Sequence, residues 1–330
     1  MAGLGTVEPR PPRGHAAGRR VRRELDAVHR RRDPGADRAR DGRRRGGAVT
    51  GGPPVGHVPT ARTEPAVPLV SVVLPTYQRA DVLGRAMRSV LAQTVTDLEL
   101  LVVDDGSTDG TAELVADIAR TDPRVRYLVQ PNGGAPRARN RGVAHARAPY
   151  TAFQDSDDEW EPTFLERLLP VVRSRPDVLA FTSHDVTHLD GRVVRLPAAH
   201  VPDVRRRILH RNLVSTQTVL LPTALLRDVG GFDVHLRSVQ DWELWLRLHG
   251  RVEIVHVDEV LVHLHRQADS ISETAGYRRS LRRVVRRHWR LLATEPGALR
   301  HAVRRATIGS RPLPTPWRAL APRRHAVEAP

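Results

Sequence analysis

Between residues 69 and 154 the chain alternates short apolar blocks with segments in which apolar residues recur every three or four positions. The blocks, at 69–74, 98–103, 125–129 and 150–154, are rich in β-branched and aromatic side chains, which predicts buried strands. The helical spacing is clearest in the segment that holds Val82, Leu83, Met87, Val90 and Leu91. This alternation predicts an α/β fold with a mainly parallel sheet and right-handed crossovers.

After residue 160 the pattern is less regular. Apolar blocks at 178–182, 218–221, 252–257 and 259–264 predict further strands, and Leu189-Asp190-Gly191 predicts a hairpin turn. Residues 240–248 have the spacing of a helix with an aromatic and aliphatic inner face, and the arginine-rich stretch 277–308 is also predicted to be helical. We therefore expect a mixed second half followed by a C-terminal helical extension.

Composition changes this picture mainly at the two ends of the chain. Residues 1–66 contain almost no large apolar side chains, which predicts a disordered tail. The net charge is +16, all 53 basic Lys/Arg residues are arginine, and they are enriched at 10–45 and 278–324. Such ends can bind nucleic acid or anionic lipid, but most often they are solvated.

Two further absences in the sequence narrow the class of protein. Because the chain has no cysteine, disulfides and thiolate metal sites are excluded. No apolar run approaches the ~18 residues needed to span a bilayer, and no secretory signal is visible. We expect a cytoplasmic protein that at most contacts the inner face of the plasma membrane.

Two acidic clusters follow predicted strands. Asp104-Asp105 ends the second strand, and the fourth leads into Asp155-Ser156-Asp157-Asp158. Ligands of parallel α/β sheets bind at the carboxyl ends of the strands, so Thr76, Asp105 and Asp157 are expected to converge. Clustered carboxylates need a cation or several donors, which predicts a metal-assisted site for a phosphorylated ligand. Taken alone, each cluster also fits a turn or a helix cap.

Six segments carry a resemblance to a known family. They read VSVVLPTY, LVVDDGSTDGT, NGGAPRARNRG, FQDSDDEW, GGFD and QDWELWLRL. In order and spacing they resemble family 2 glycosyltransferases, over roughly residues 69–275. The resemblance implies the GT-A fold, with a Rossmann-like sheet, and inverting transfer from a nucleotide-diphosphate sugar.

With this resemblance the chain divides into three parts. A tail at 1–66 precedes a GT-A domain at 67–275, and a basic helical extension and tail occupy 276–330. Within the domain, 67–160 is expected to bind the nucleotide sugar. The half at 161–275 is expected to bind the acceptor and supply the catalytic base.

The resemblance implies a role for each acidic residue. Asp155-x-Asp157 is similar to the family's DxD motif, so Asp157 is expected to bind Mg²⁺ or Mn²⁺, with Asp155 in support and Asp158 a weaker candidate. Asp105 is expected to accept a hydrogen bond from the nucleotide base. Asp104 either lies beside it in that pocket or is structural.

Other nucleotide-sugar contacts are implied for the loop after the first strand and for one arginine. Pro75, Thr76 and Tyr77 would line the nucleotide pocket, where a backbone group and an aromatic face suit a planar base. Arg139 resembles a family arginine near the donor and could pair with phosphate.

Asp241 is the expected catalytic base, because inversion needs a carboxylate opposite the leaving group. It also fits the cap of the following helix. The family has an acidic pair here, whereas this chain has Gln240 before Asp241. A family histidine that could bind the metal is replaced by Gln267, with His263 and His265 as possible substitutes.

The predicted function is transfer of a single sugar, with a UDP-sugar as the favoured donor. The acceptor would be a polysaccharide precursor, a lipid-linked glycan or a small molecule. One alternative is a pseudoenzyme that only binds the nucleotide sugar, suggested by Gln240 and Gln267. Another is nucleic-acid binding through the arginine-rich ends, which the 4% aromatic content disfavours. The basic C-terminal helix could also contact anionic lipid.

Overall fold

The structure, a computed structural model, describes residues 67–197, 200–266 and 275–308. The predicted tail at 1–66 and Gln267 lie outside these residues. The first half alternates strands and helices as its apolar pattern predicts. Its elements are β1 (Val70–Thr76), α1 (Ala80–Leu91), β2 (Leu98–Asp104), α2 (Thr111–Thr121), β3 (Val125–Val129), α3 (Ala135–His145) and β4 (Tyr150–Phe153).

The second half is mixed, as expected. Its elements are β5 (Glu159–Trp160), α4 (Phe164–Arg173), β6 (Val178–Thr187), β7 (Val193–Leu196), α5 (Val204–Arg207), β8 (Val219–Pro222), α6 (Thr223–Asp228), α7 (Gln240–Leu248), β9 (Glu253–His265), α8 (Ala275–Ala293) and α9 (Ala298–Ile308). The two apolar blocks at 252–257 and 259–264 form one strand, and the polar break between them is a register shift against β6.

The nine strands that the structure describes belong to one sheet in the order β3-β2-β1-β4-β8-β6-β9-β5, with β7 paired to β6. The pairs β3–β2, β2–β1 and β1–β4 are parallel, as short blocks joined by helices require. β8 runs antiparallel to both β4 and β6, whereas β6 and β9 are parallel. The parallel part therefore lies at one side of the sheet and the mixed part at the other.

The sheet is covered on both faces by apolar side chains. Every residue of β1 and β2 is buried, which explains why these strands are mostly apolar and do not alternate with polar residues. Along β1, Val73 points into one core cluster, whereas Val72 and Leu74 point into the other. Burial on both faces leaves the carboxyl edge of the sheet as the place where polar groups of the first half can gather.

The C-terminal helices pack against the domain core rather than standing apart from it. Leu281, Val284 and Leu292 of α8 belong to the same apolar cluster as Trp242 and Trp245 of α7. The arginines of α8 thus lie on the outside of a helix whose inner face completes the core.

We expect Gly142→Ala to destabilise the protein, because a Cβ at this position of α3 would lie 2.3 Å from Cγ1 of Val73 in β1. Overpacking of this kind costs about 1–3 kcal/mol, to be measured by urea unfolding. Gly84→Ala is the matched control within a helix: the nearest atom is a flexible end of Arg88 at 3.2 Å, so we expect a gain of about 0.5–1 kcal/mol. Equal effects at the two glycines would contradict the packing argument, and Val73→Ala should relieve the Gly142→Ala defect.

Candidate active site

The acidic loop after β4, residues 154–158, is held by arginines from two helices. Nη2 of Arg139, in α3, donates to Oδ1 of Asp155 over 2.6 Å. Nη2 of Arg85, in α1, donates to the main-chain oxygen of Asp157 over 2.6 Å. Asp155 and Asp157 are half-buried, whereas Asp158 is buried. The loop backbone is therefore fixed while two of its carboxylates keep contact with solvent.

Asp158 ties the acidic loop to the second half of the domain. Its Oδ2 accepts from Nε2 of Gln217 over 2.9 Å, and its Oδ1 accepts from the main-chain N–H of His265 over 3.1 Å. Burial raises the pKa of Asp158 well above its ordinary value, and the charges of Asp155 and Asp157 raise that pKa further. The loop thus carries more negative charge than its protein donors compensate.

This donor set fits a hard divalent cation. Among the described residues no group of three or more His, Asp or Glu side chains forms a ready cation cage. Mg²⁺ sites commonly use one or two carboxylates and complete their shell with water and substrate phosphates. Asp155 and Asp157 provide such carboxylates, and their negative charges add to the effect of burial in raising the pKa of Asp158.

Asp104 is engaged in local structure at the end of β2. Its Oδ1 accepts from the main-chain N–H of Ser107 over 2.8 Å, and the hydroxyl of Tyr127 donates to its Oδ2. Burial raises the pKa of Tyr127, and the hydrogen bond to Asp104 adds to that rise. Of the two alternatives for Asp104, this geometry matches the structural one.

Asp105 anchors the loop that leads into α3. Its Oδ1 accepts from Nε2 of Gln130 over 2.7 Å and from the N–H of Gly133 over 2.9 Å, and its Oδ2 accepts from the N–H of Gly134 over 2.6 Å. A carboxylate has about four acceptor positions, so three protein donors use most of them. The role of Asp105 toward a nucleotide base stays a prediction, and the structure adds its role as loop anchor.

The loop after β1 lies beside Asp104 and Asp105, because Thr76 is in register with Asp104. Pro75 and Thr76, which were expected in this loop, are instead the last two residues of β1 and are buried, because they pair with β2. Tyr77 begins the loop and is 46% exposed. Gln78 has a φ of +52°, and its side-chain oxygen accepts from the N–H groups of residues 108 and 109, each over 3.1 Å. These two hydrogen bonds join the loops after β1 and β2 into one wall of the site.

Arg139 connects the two halves of the site. Besides Asp155, it contacts Gln240 at the start of α7, where Nη1 donates to the side-chain oxygen over 3.1 Å. Its guanidinium carbon lies 5.6 Å from the ring centre of Phe232. Arg139 is buried, and its Nε has no hydrogen-bond partner among the described residues. The positive charge of Arg139 thus lies between the acidic loop and α7. The expected contact of Arg139 with phosphate stays a prediction.

Asp241 lies in the first turn of α7 and does not cap the helix, because the cap position is occupied by Val239 with a φ of +53°. Such a backbone is strained for a β-branched residue and commonly marks a functional site. Asn212 donates from Nδ2 to Oδ2 of Asp241 over 2.6 Å, and the N–H of Trp242 donates to Oδ1 over 2.8 Å. Burial raises the pKa of Asp241, although these two bonds and the charge of Arg139 oppose the rise.

The amide of Gln240 makes two bonds of opposite polarity. Its oxygen accepts from Arg139, and its Nε2 donates to the main-chain oxygen of Leu236 over 3.2 Å. A glutamate at this position could accept from Arg139 but could not donate to Leu236. Glutamine at position 240, in place of the first acid of the family's pair, therefore lets one side chain bond both Arg139 and the main chain of Leu236.

His263 and His265 of β9, the two candidate substitutes for the family histidine, are paired with glutamates near β5. Nε2 of His263 lies 2.7 Å from Oε1 of Glu161, and Nε2 of His265 lies 3.0 Å from Oε1 of Glu159. Glu159 also forms an ion pair with Arg85. These contacts give both histidines partners other than a cation, and Gln267 lies outside the described residues.

Several residues that shape the site carried no motif in the sequence. Asn212, Gln217 and Gln130 orient Asp241, Asp158 and Asp105, respectively. Each is a polar residue in or beside an irregular segment. Only burial of an amide, which needs partners, could have indicated them.

A second polar cluster, on β6 and β9, resembles a Ser-His-Asp triad but has the wrong hydrogen-bond direction. Nδ1 of His256 accepts from the main-chain N–H of Val201 over 3.1 Å, so Nε2 carries the proton and donates to Oγ of Ser183 over 3.0 Å. Burial lowers the pKa of His256 to about 4, which keeps this ring neutral. The cluster therefore joins segments of the fold and does not activate Ser183.

Comparison with known proteins now places the chain in a family. Residues 71–224 match the family model described as glycosyl transferase family 2. The chain is 31% identical over 187 residues to the putative teichuronic acid biosynthesis glycosyltransferase TuaG of Bacillus subtilis, covering 55% of this chain and 72% of TuaG. The chain belongs to glycosyltransferase family 2. The predicted family is thereby confirmed.

Other relatives in glycosyltransferase family 2 are much longer than the matched region. The hyaluronan synthase of Pasteurella multocida is 28% identical over 207 residues, which is 62% of this chain but 21% of the synthase. The chain thus matches about a fifth of that relative.

Solved structures agree with the family in fold. S. aureus TarS superimposes with a TM-score of 0.56 at 20% identity, covering 74% of this chain and 73% of that one. TarS in complex with UDP-GlcNAc gives a TM-score of 0.57 at 19% identity. The predicted GT-A fold is confirmed. Of the helices that the structure describes, none combines the length and the apolar character needed to cross a membrane.

We expect Asp241→Asn to raise the thermal stability of this glycosyltransferase family 2 protein at pH 7.5, because burial raises the pKa of Asp241 and its ionised form is unfavourable in the fold. A carboxyl group whose pKa is raised in the folded protein lowers the stability of the fold at pH values above that raised pKa. The loss disappears below the ordinary pKa of about 4, because the carboxyl group is then protonated in both the folded and the unfolded protein. The gain in melting temperature should therefore shrink as the pH falls toward 4. Asp97→Asn, at an exposed loop carboxylate, is the control and should show no such trend. A pH-independent difference for Asp241→Asn would contradict the expectation.

Proposed function

We propose that this chain catalyses inverting transfer of a single sugar from a nucleotide-diphosphate sugar, with a UDP-sugar as the favoured donor, to an acceptor hydroxyl. The observation that carries the proposal is the position of Arg139, which donates to Asp155 and to Gln240. Donor-side carboxylates and the residue beside Asp241 are thereby joined through one guanidinium. A direct displacement needs donor and base held in a fixed relation of this kind.

In this proposal Asp241 is the general base. Its two donors, Asn212 and the N–H of Trp242, orient the carboxylate, and burial raises its pKa toward the range in which a base accepts a proton effectively. Asp241 would take the proton of the acceptor hydroxyl as the oxygen attacks the anomeric carbon from the face opposite the leaving nucleotide. The acceptor therefore has to bind on the α7 side of the acidic loop.

The donor would be held at the carboxyl ends of β1, β2 and β4. Asp157, supported by Asp155, would bind Mg²⁺ or Mn²⁺, and such a cation neutralises the diphosphate and stabilises the leaving group. The wall formed by Pro75, Thr76 and Tyr77 with the loop anchored by Asp105 would hold the nucleotide. Complexes of TarS with UDP and with UDP-GlcNAc support a uridine nucleotide as donor.

The acceptor class is proposed from the relatives. TuaG is named for teichuronic acid biosynthesis, and the Pasteurella relatives are named as hyaluronan and chondroitin synthases. These names support a polysaccharide precursor or lipid-linked glycan as acceptor more than a small molecule.

We expect Asp241→Asn to lower the rate of sugar transfer about 10²–10⁴-fold, because a positioned base contributes that much to a reaction of this type. Transfer would be measured as release of UDP from a panel of UDP-sugars with polysaccharide and lipid-linked acceptors, and nucleotide binding should be unchanged. Asp97→Asn again serves as the control and should keep full activity. Unchanged transfer by Asp241→Asn would exclude it as base. Donor binding by the native protein without any transfer would favour the pseudoenzyme.

We expect one nucleoside diphosphate, UDP before others, to raise the melting temperature only when Mn²⁺ or Mg²⁺ is present. Binding at 100-fold the Kd contributes about 2.7 kcal/mol, which a thermal-shift measurement detects easily. Asp157→Ala should remove this metal-dependent shift, whereas Asp190→Ala, in the hairpin between β6 and β7, should retain it. A full shift without metal, or in Asp157→Ala, would rule out the proposed cation role.

A further inference from the structure

The outer face of α8 carries a row of arginines. They share exposure to solvent and run along one side of the helix for about 18 Å at 1.5 Å per residue. We call them the α8 arginine face: Arg278, Arg279, Arg282, Arg286 and Arg290.

The charge of this face is not compensated within the described part of the chain. The guanidinium groups of Arg278, Arg279 and Arg286 form no ion pair or hydrogen bond among residues 67–197, 200–266 and 275–308. Glu295 is the single acidic residue in the described stretch 275–308, and it pairs with Arg206. Within the described residues the face is therefore a strip of positive charge without an acidic partner, in which Arg282 donates to the main-chain oxygen of Ala306 and Arg290 lies over Trp289.

The inner arginines of the same helix behave differently. Arg283 and Arg287 both reach Asp233, with nitrogen–oxygen distances of 3.0 and 3.5 Å, and His288 contacts Glu243 of α7 over 3.1 Å. These ion pairs hold α8 against the domain, and among the described residues Arg278, Arg279 and Arg286 take no part in holding the helix in place.

An aromatic residue extends the outer face at its C-terminal end. Trp289 is 51% exposed, and the guanidinium carbon of Arg290 lies 5.4 Å from its ring centre. An exposed tryptophan among arginines suits the headgroup region of a lipid bilayer, where one end of a side chain is apolar and the other is wet.

The face is rigidly connected to the acceptor side of the proposed active site. Oγ of Ser280 accepts from the N–H of Arg237, three residues before the start of α7, and Glu243 of α7 is held by α8 through His288. A surface that binds the α8 arginine face is therefore fixed relative to Asp241.

We propose that the α8 arginine face docks this protein on an anionic membrane surface. The inference rests on the proposed function, in that docking would present the acceptor side to lipid-linked glycans, but the binding itself requires neither donor nor acceptor. A straight row of charges on one helix matches a planar surface of anionic headgroups. A single exposed tryptophan does not provide the series of stacking platforms that single-stranded nucleic acid uses.

The test is co-sedimentation of the full chain with vesicles of phosphatidylcholine alone and with added phosphatidylglycerol, at low and high salt. We expect partitioning that needs phosphatidylglycerol and falls with salt, because the attraction acts within a Debye length. Replacing Arg278, Arg279 and Arg286 by serine should weaken partitioning on the order of a hundredfold at low salt, since each arginine near the surface contributes about fivefold. Trp289→Ala should weaken it further.

The matched control replaces Arg88, Arg173 and Arg251 by serine, which removes the same charge from exposed positions on other elements. Equal partitioning of the two triple variants would overturn the proposal. It would also be overturned if the α8 variant lost binding to RNA while it kept binding to vesicles. Melting temperatures of both variants should match the native protein, and an unfolded α8 variant would be replaced by the single changes Arg279→Ser and Arg286→Ser.

The failure of this inference can be separated from failure of the proposed function. Asp157→Ala should partition onto anionic vesicles like the native protein even though it loses the metal-dependent nucleotide shift. Vesicle binding without any sugar transfer would contradict the proposed function alone, and transfer without vesicle binding would contradict the docking alone.

Discussion

A buried guanidinium between two acidic regions is the interaction on which the candidate site depends. Arg139 is placed there by α3, whose start is fixed by the loop that Asp105 anchors. One end of the guanidinium meets Asp155 of the acidic loop, and the other meets Gln240 at the start of α7. Removing the charge would leave the half-buried Asp155 without its cationic partner and α7 without its link to the sheet edge.

The site holds several groups in unfavourable states at the same time. Burial raises the pKa of Asp158 and of Asp241, and Val239 has a left-handed backbone that a β-branched residue rarely adopts. Elsewhere in the domain β1 and β2 are buried along their whole length, and the buried acid Glu99 is answered by two arginines and Ser71. The contrast separates a stable scaffold from an edge where charge is left for a ligand to neutralise.

The sequence was sufficient for the scaffold because burial on both faces of a parallel sheet requires β-branched blocks such as the one in β1, and such blocks are visible without partners. It also placed the acidic strand ends at one edge, since topology alone brings Asp105 and Asp155 together. It could not indicate that Asn212 orients Asp241, because Asn212 lies in the irregular segment between α5 and β8, far in sequence from α7, and an isolated asparagine has no pattern. Likewise, the alternative interpretation of Asp241 as the helix cap does not hold because the strained Val239 takes that position, and backbone strain leaves no signature in the sequence.

The anchoring of α3 by Asp105 has a consequence for donor selection. The carboxylate fixes the N–H groups of Gly133 and Gly134, the helix begins at the next residue, and Arg139 follows after one further turn. α3 therefore connects the loop that Asp105 anchors to the acidic loop, which Arg139 contacts. A displacement of Asp105 also moves Arg139, so under the proposed function recognition of the nucleoside would be coupled to the contact with the diphosphate. Substitutions near Asp105 would then act non-additively with substitutions in the acidic loop.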